Sequence, residues 1–460
     1  MQADKLSSLL ESELPGVAYS TQPADLVQFG QDWTRFHEPQ AAVVFFPNDV
    51  DEVSRIIQVA NRHGQVVIPS GGRTGYSAGA TATAGEWILS MVRFNQIHDF
   101  NAVDQTVRVG AGVITEQLQQ FALDQELFYP VDFASSGSSH VAGNIATNAG
   151  GIRVLRYGLT RDYVMGLTVV TGTGEVMHLN RGLVKNASGL DLRHLFIGSE
   201  GILGVIVEAE IKLIKPPPNQ AVMLLALSSL EAVMSVFALA RKSLQLSSFE
   251  FFSDRSLQKV MDHRGFDNPF DEMHPFYVLL EFDEDESSAM AVFEAGMESG
   301  WVNDGIIAQS LDQAQQLWQY REGISESIAH FTPYKNDIAV KISKVPAFMQ
   351  QLEAILATEY PDFETIWFGH IGDGNLHLNI LKPSTMDVAD FKTQCEQVNV
   401  QVYGLIQDFA GSISAEHGVG LIKKPYLPYS RDAAEINAMQ AIKKVFDPNG
   451  VMNRGKVIDS

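Results

Sequence analysis

PSGGRTGYSAGA, residues 69–80, packs four glycines (Gly71, Gly72, Gly75 and Gly79) directly behind the strand-like run QVVIP at 65–69. Glycine lets backbone N–H groups crowd and turn around an anion, so the ligand such a loop suits is a phosphate or pyrophosphate. Taken alone, the stretch also reads as an ordinary glycine-rich connection. It contains a false lead as well. Gly75-Tyr-Ser77-Ala-Gly79 has the G-x-S-x-G spacing of a hydrolase nucleophile elbow. That elbow needs a helix right after the serine, but ATATAGEWILSM follows and reads as loop and strand.

On either side the chain alternates. AAVVFF (41–46) predicts a strand and DVDEVSRIIQVANRHG (49–64) a helix ending at Gly64. Up to about residue 215 short strands are separated by glycine-rich turns, an α+β pattern without long crossover helices. Gly110-Ala-Gly112-Val-Ile-Thr115 is a partial dinucleotide fingerprint, but Thr115 stands where the third glycine should be. A Rossmann domain is rejected. Pro216-Pro217-Pro218 marks a boundary, because three prolines continue neither a helix nor a central strand.

Beyond it AVMLLAL (221–227), SSFEFF (247–252), FYVLLEF (276–282) and GIIAQ (305–309) read as strands. Between them lie a helix opened by a capping box at Ser228–Glu231 and running to about Leu244, and another over 287–299. Two such β-α-β units predict a ferredoxin-like sheet with helices on one face. A long helix is expected over about 311–330. A last one, within 435–453, is stopped by Asp447-Pro448-Asn449-Gly450.

The 460 residues carry 33 basic and 55 acidic side chains, a net charge of −22. That field disfavours nucleic acid and anionic lipid as partners, so a site for small acids needs local positive charge or a metal. Hydrophobic residues at 45% and charged ones at 19% describe a globular chain. The single cysteine, Cys395, excludes an intrachain disulfide and any four-cysteine cluster. No basic stretch followed by an apolar run opens the chain, and the most apolar window, Ala221–Ala240, is broken by Ser228, Ser229 and Glu231. A cytoplasmic protein without a transmembrane segment is expected.

The densest glycine, hydroxyl and amide content lies in Pro130-Val-Asp132, Ser136-Gly-Ser138, GNIATNAGG (143–151), Arg156-Tyr-Gly158 and GSEGILG (198–204). It suggests a long polar ligand wrapped by backbone. Together with residues 69–75 these stretches resemble the flavin-binding domain of the vanillyl-alcohol oxidase (p-cresol methylhydroxylase, PCMH-type) superfamily. The resemblance implies FAD held without a Rossmann fold. Pro69, Ser70, Gly71, Gly72, Arg73, Thr74 and Gly75 would hold the pyrophosphate. Pro130, Asp132, Ser136, Gly137, Ser138, Gly143, Asn144, Thr147, Asn148, Gly150, Gly151, Tyr157 and Gly158 would surround the isoalloxazine and ribityl with Glu200, Gly201, Gly204 and Ile206; Asn453 would join them. Several relatives tether the flavin through a histidine after the paired glycines. Arg73 stands there, which implies non-covalent FAD.

HIGDGNLHLN (370–379) reads as strand, tight turn, strand, with His370 and His377 flanking the turn. SISAEHGVG (412–420) adds Glu416 and His417. Two histidines and a carboxylate make an open metal site that leaves positions for substrate. A lone histidine is as often structural, but His-x6-His with a downstream Glu-His pair is more specific. These stretches resemble the D-2-hydroxy-acid dehydrogenase branch of the superfamily, with most similarity to members acting on D-2-hydroxyglutarate. The resemblance implies a divalent metal, zinc first, on His370, His377 and Glu416, with His417 as general base. Arg321, Ser325, Lys335 and Asn379 would bind the substrate. Lys341 and Arg454 stand where relatives often carry proline.

The implied organisation is an N-terminal lead-in (1–37) and a PCMH-type, two-subdomain FAD-binding domain (38–215). A ferredoxin-like α+β substrate (cap) domain with the metal site (216–420) and a C-terminal helical segment returning to the flavin domain (421–460) follow. The implied reaction oxidises a D-2-hydroxy acid to the 2-oxo acid. The metal lowers the hydroxyl pKa, His417 takes the proton and hydride passes to flavin N5. D-2-hydroxyglutarate leads, with D-lactate or glycolate the alternative. A zinc-dependent hydrolase and a non-catalytic flavin module are the readings from other classes. With no cluster-forming cysteines, electrons leave through an external acceptor: an electron-transfer protein, a quinone, oxygen or an artificial dye. A homodimer is an open option.

Overall fold

The glycine-rich loop leaves the end of a parallel strand, and the short parallel sheet around that strand sets where the loop points. The computed structural model describes residues 3–34 and 37–459; residues 1–2 and 35–36 of the expected lead-in, and residue 460, lie outside this range. The chain divides into two compact units. Unit 1 comprises residues up to Gly150, Leu159–Pro216, and Glu416 onward; unit 2 comprises Gly151–Gly158 and Pro217–Ala415.

In unit 1, β1 (Tyr19–Ser20), β2 (Val43–Phe45), β3 (Val67–Ser70) and β4 (Trp87–Ser90) form a sheet of order β1-β2-β4-β3. The β2–β4 and β3–β4 pairs are parallel. The crossover helix between β2 and β3, Val50–Arg62, is capped by Asp49, whose side chain accepts from Glu52 N. It buries Val53, Ile56, Ile57 and Ala60, the i, i+3, i+4, i+7 stripe of a helix laid on a sheet. The lead-in is part of this sheet, since Tyr19 of β1 pairs with Phe45.

A second, antiparallel sheet has the order β5-β6-β9-β7-β8, from β5 (Ile97–Asn101), β6 (Thr106–Gly110), β7 (Val164–Thr171), β8 (Val176–Leu179) and β9 (Gly204–Lys212). No Rossmann unit follows β6. The returning segment adds the helix Ala433–Phe446, ended at Asp447, and a bridge between Val67 and Met452. Arg454 clamps the turn before it, donating from Nε to Gly450 O (2.7 Å) and from Nη2 to Asn449 O (3.2 Å).

The expected flavin domain is interrupted at Gly151–Gly158. Ile152 O accepts from Ser248 Oγ, while Arg153 and Arg156 pair with Glu281 and Asp283, so this segment belongs to unit 2.

Unit 2 is built on β10 (Gln220–Leu227), β11 (Leu246–Ser253), β12 (Phe276–Asp283), β13 (Val302–Ile307), β14 (Tyr334–Ala339), β15 (Thr365–Gly369) and β16 (Asn375–Ile380). The sheet order is β13-β10-β12-β11-β15-β16-β14, antiparallel throughout. Its first four strands have the ferredoxin-like order; three more extend the edge.

The helices cover both faces of this sheet rather than one. Val222, Leu224, Phe252 and Leu279 pack with Leu257, Leu317, Trp318 and Ile324 from the helices Asp254–Arg264, Leu311–Glu322 and Ile324–Ser327. On the other face Phe249 meets Phe237 of the helix Leu230–Ser243, ring centroids 4.9 Å apart. Continuous apolar runs such as AVMLLAL, rather than alternating ones, are what two covered faces require.

Two local expectations shift. Ser229, not Ser228, caps the helix Leu230–Ser243, because Ser228 Oγ is spent on Gly300 O. No capping box forms there. The long helix expected over 311–330 breaks at Gly323, where Arg264, paired with Glu326 at 2.6 Å, packs against the gap. Among the described residues no helix is long and apolar enough to cross a membrane.

Candidate active site

Unit 1 holds a cavity of about 990 Å³, its open mouth included, and residues 69–75 form one wall. At Gly72 a Cβ would sit 2.3 Å from Ser138 O, so backbone packs on backbone and no side chain fits. Arg73, with φ of 60°, turns back on the loop: Nη1 donates to Gly71 O (2.9 Å) and Cζ lies 4.7 Å from the Phe29 ring centroid.

Of the other expected flavin contacts, Gly143, Asn144, Thr147, Glu200, Gly201, Gly204, Ile206 and Asn453 line the same cavity. Pro130, Asp132, Ser136, Gly137, Ser138, Asn148 and Gly150 do not. Ser136 Oγ donates to Asp132 Oδ1 (3.1 Å) and Phe133 O (2.8 Å), closing its own turn. Asn148, at φ 51°, ends the helix Val141–Thr147 and accepts from Arg161 N. Gly151, Tyr157 and Gly158 lie in unit 2.

Asp32 and His140 line the cavity too, though neither sits in a glycine motif. Within the lining, His140 Nδ1, Asp32 Oδ2 and Asn453 Oδ1 are buried with no hydrogen-bond partner. Such atoms are costly unless a polar ligand reaches them. A cavity walled by a glycine loop and fringed with waiting polar atoms fits FAD. Burial and the neighbouring Arg73 push the His140 imidazole down to about 4.

Glu200 does something else as well. Its carboxylate accepts from Val419 N (2.7 Å) and Gly420 N (2.9 Å), and burial pushes its pKa up. Gly420, φ 50°, sits so close to Ser77 O that a Cβ there would be 2.0 Å away. The loop pinned in this way carries His417, which lines the cavity with its ring centroid 4.9 Å from that of Tyr76.

In unit 2 the pleat gathers the remaining expected residues on one sheet face. Lys335 pairs with Asn379, Asp337 with His377, and His377 with Phe368. Directly opposite residues point to the same side, and alternate residues share it. Phe252 pairs with Phe368, so Glu250, two residues earlier, belongs to that face. The face is apolar at Val222 and Leu224 of β10 and at Ile366 and Phe368 of β15, and polar at Lys335 and Asp337 of β14 and at His377 and Asn379 of β16.

His370, just past β15, stands with its ring centroid 5.3 Å from that of His377, the planes at 84°. Each imidazole turns Nδ1 toward a buried carboxylate: His370 to Glu250 Oε1 at 2.8 Å, His377 to Asp337 Oδ1 at 3.7 Å. Imidazoles backed in this way are metal-ligand chemistry, so the donor set fits a divalent ion. Glu416 directly follows Ala415, whose N–H donates to Asp337 O.

Arg321 meets a carboxylate within unit 2. Its Nη2 lies 2.8 Å from Glu250 Oε2 and its Cζ 4.9 Å from the Phe368 ring centroid, so its charge is already answered within the protein. Burial lowers the Lys335 pKa. Ser325 lies half-buried in the short helix Ile324–Ser327, and Lys341 is exposed. Glu250 was missed; a charge inside the apolar strand SSFEFF was the signal.

Residues 41–180 match the family model described as FAD binding domain, and residues 216–457 the one described as FAD linked oxidases, C-terminal domain. The chain is 52% identical to a D-2-hydroxyglutarate dehydrogenase of Xanthomonas citri pv. viticola over 98% of its length and 96% of that protein's. It is 51% identical to one of Stutzerimonas stutzeri over 99% and 98%. Among solved structures, 4-ethylphenol oxidase from Gulosibacter chungangensis shares the fold at 14% identity, TM-score 0.76, covering 100% of this chain and 98% of that one.

Proposed function

The chain belongs to the FAD-linked oxidases, and on that premise we propose that this FAD-dependent oxidoreductase oxidises a D-2-hydroxy acid to the 2-oxo acid. D-2-hydroxyglutarate is the first substrate and D-lactate the second. Relatives of that name at 52% and 51% identity support the choice. Family membership sets the hydrolase reading aside.

The observation that carries the proposal is the polar half of one sheet face in unit 2, where Lys335, Asn379, His377, His370 and Arg321 come together. Lys335, half-buried and with its pKa lowered by that burial, is suited to an anionic group, here the distal carboxylate of a dicarboxylate. Arg321 and Asn379 orient the hydroxy-acid end. His370, His377 and Glu416 would hold a divalent ion. When bound, FAD supplies the acceptor for two electrons and the ion a Lewis acid for the hydroxyl. His417 receives the hydroxyl proton, a task that suits an imidazole near neutral pH. Electrons then leave to an external acceptor.

A panel of D- and L-2-hydroxy acids with an electron-accepting dye tests this. Dye reduction by D-2-hydroxyglutarate above D-lactate, with L-acids inert, is expected. A yellow protein that no 2-hydroxy acid reduces would overturn the proposal.

A further inference from the structure

We propose that Glu250 is a positioning residue whose single carboxylate fixes both the His370 imidazole and the Arg321 guanidinium. The inference rests on the metal and substrate roles proposed above and adds the group that aligns them.

Glu250 is 1% exposed. Its two oxygens are divided: Oε1 faces His370 Nδ1 at 2.8 Å and Oε2 faces Arg321 Nη2 at 2.8 Å. A carboxylate can only accept at this distance, so Nδ1 of His370 carries a proton, and in the neutral imidazole Nε2 then holds the lone pair. That tautomer is the one a metal ligand bound through Nε2 requires.

The other oxygen acts on the guanidinium. A buried charge is tolerated when paired, and the Phe368 ring beneath Arg321 leaves the fork little freedom. With its charge offset by Glu250, Arg321 gives a ligand directed N–H groups rather than surplus positive charge. Glu250 therefore links two partners that are distant in sequence. If one oxygen is neutralised, both lose their orientation.

The probe is cobalt(II), titrated into flavin-loaded protein against a competing chelator. Glu250→Gln is expected to weaken cobalt binding 10- to 100-fold, as losses behind a ligating histidine do. KM for D-2-hydroxyglutarate should rise with it, while FAD per chain stays unchanged. The variant leaves Arg321 with an unpaired charge, so Glu250→Gln/Arg321→Met is measured beside it. That double variant restores neutrality and should bind cobalt as weakly as the single one. If the parent binds cobalt and both variants bind it equally tightly, the positioning role is overturned and the site reading stands. If parent binding is absent, or indifferent to His370→Ala, both fall together.

Discussion

Lys443 and Asp447, one helical turn apart, form an ion pair at 2.7 Å that is almost wholly buried, at 3% and 0% side-chain exposure. The ammonium also donates to Ile202 O (2.8 Å) and Met452 O (2.9 Å), and the carboxylate accepts from Val451 N and Met452 N. The pair thus staples the returning segment to the stretch that carries Glu200. Lys443→Met would strand the carboxylate, and breaking a buried pair costs about 3–5 kcal/mol. Urea unfolding of the flavin-loaded protein should show that loss; a change below about 1 kcal/mol would mean the staple is redundant.

The flavin should come away freely. Arg73 is turned onto Gly71 and Phe29, and the only cysteine, Cys395, is buried in unit 2. Acid precipitation is expected to leave FAD in the supernatant. Colour retained on a peptide in the pellet would contradict this.

His140 predicts an acid sensitivity of the flavin-free chain. Burial and Arg73 hold the folded imidazole at about 4, against an ordinary 6.5. Between these values the unfolded chain takes up a proton that the folded chain refuses, so stability falls as pH drops from 6.5 toward 4. The gap corresponds to roughly 3 kcal/mol. His140→Asn should flatten that part of the stability profile while leaving the profile above pH 7 in place. An unchanged slope would show that the imidazole is already protonated in the folded chain.

Substrate choice should follow Lys335. Lys335→Gln is expected to lower kcat/KM for D-2-hydroxyglutarate by roughly 100-fold, about 3 kcal/mol, as expected when a desolvated charge loses its partner. D-lactate, without the distal carboxylate, should lose far less. Parallel losses on both acids would move Lys335 to the shared carboxylate.

Much of this was legible in the sequence because the features are local. The glycine loop at 69–75, the turn between His370 and His377 and the helix stop at Asp447 each depend on neighbours a few residues away. What was hidden depends on distant partners. Nothing near Arg321 announces that its charge meets Glu250, 71 residues earlier. The stretch 151–158 reads as one more glycine-edged piece of the flavin domain, and only its partners at Ser248, Glu281 and Asp283 place it elsewhere. Ser228 shows the same at small scale: a bond to Gly300 moved a helix cap by one residue.

The interleaving of the two units carries a consequence for synthesis. Unit 1 is left at Gly150, re-entered at Leu159, left again at Pro216 and closed only from Glu416 onward. Val67 bridges Met452, so one edge of its first sheet waits for residues translated near the end. At roughly 5–20 residues per second the 385 residues between them take about 20–80 s. During that wait the glycine loop lacks Asn453 and the His417 segment, whereas unit 2, apart from its short excursion at 151–158, is made in one run. A ribosome-bound chain halted before Glu416 should therefore protect unit 2 from protease while unit 1 is still cut.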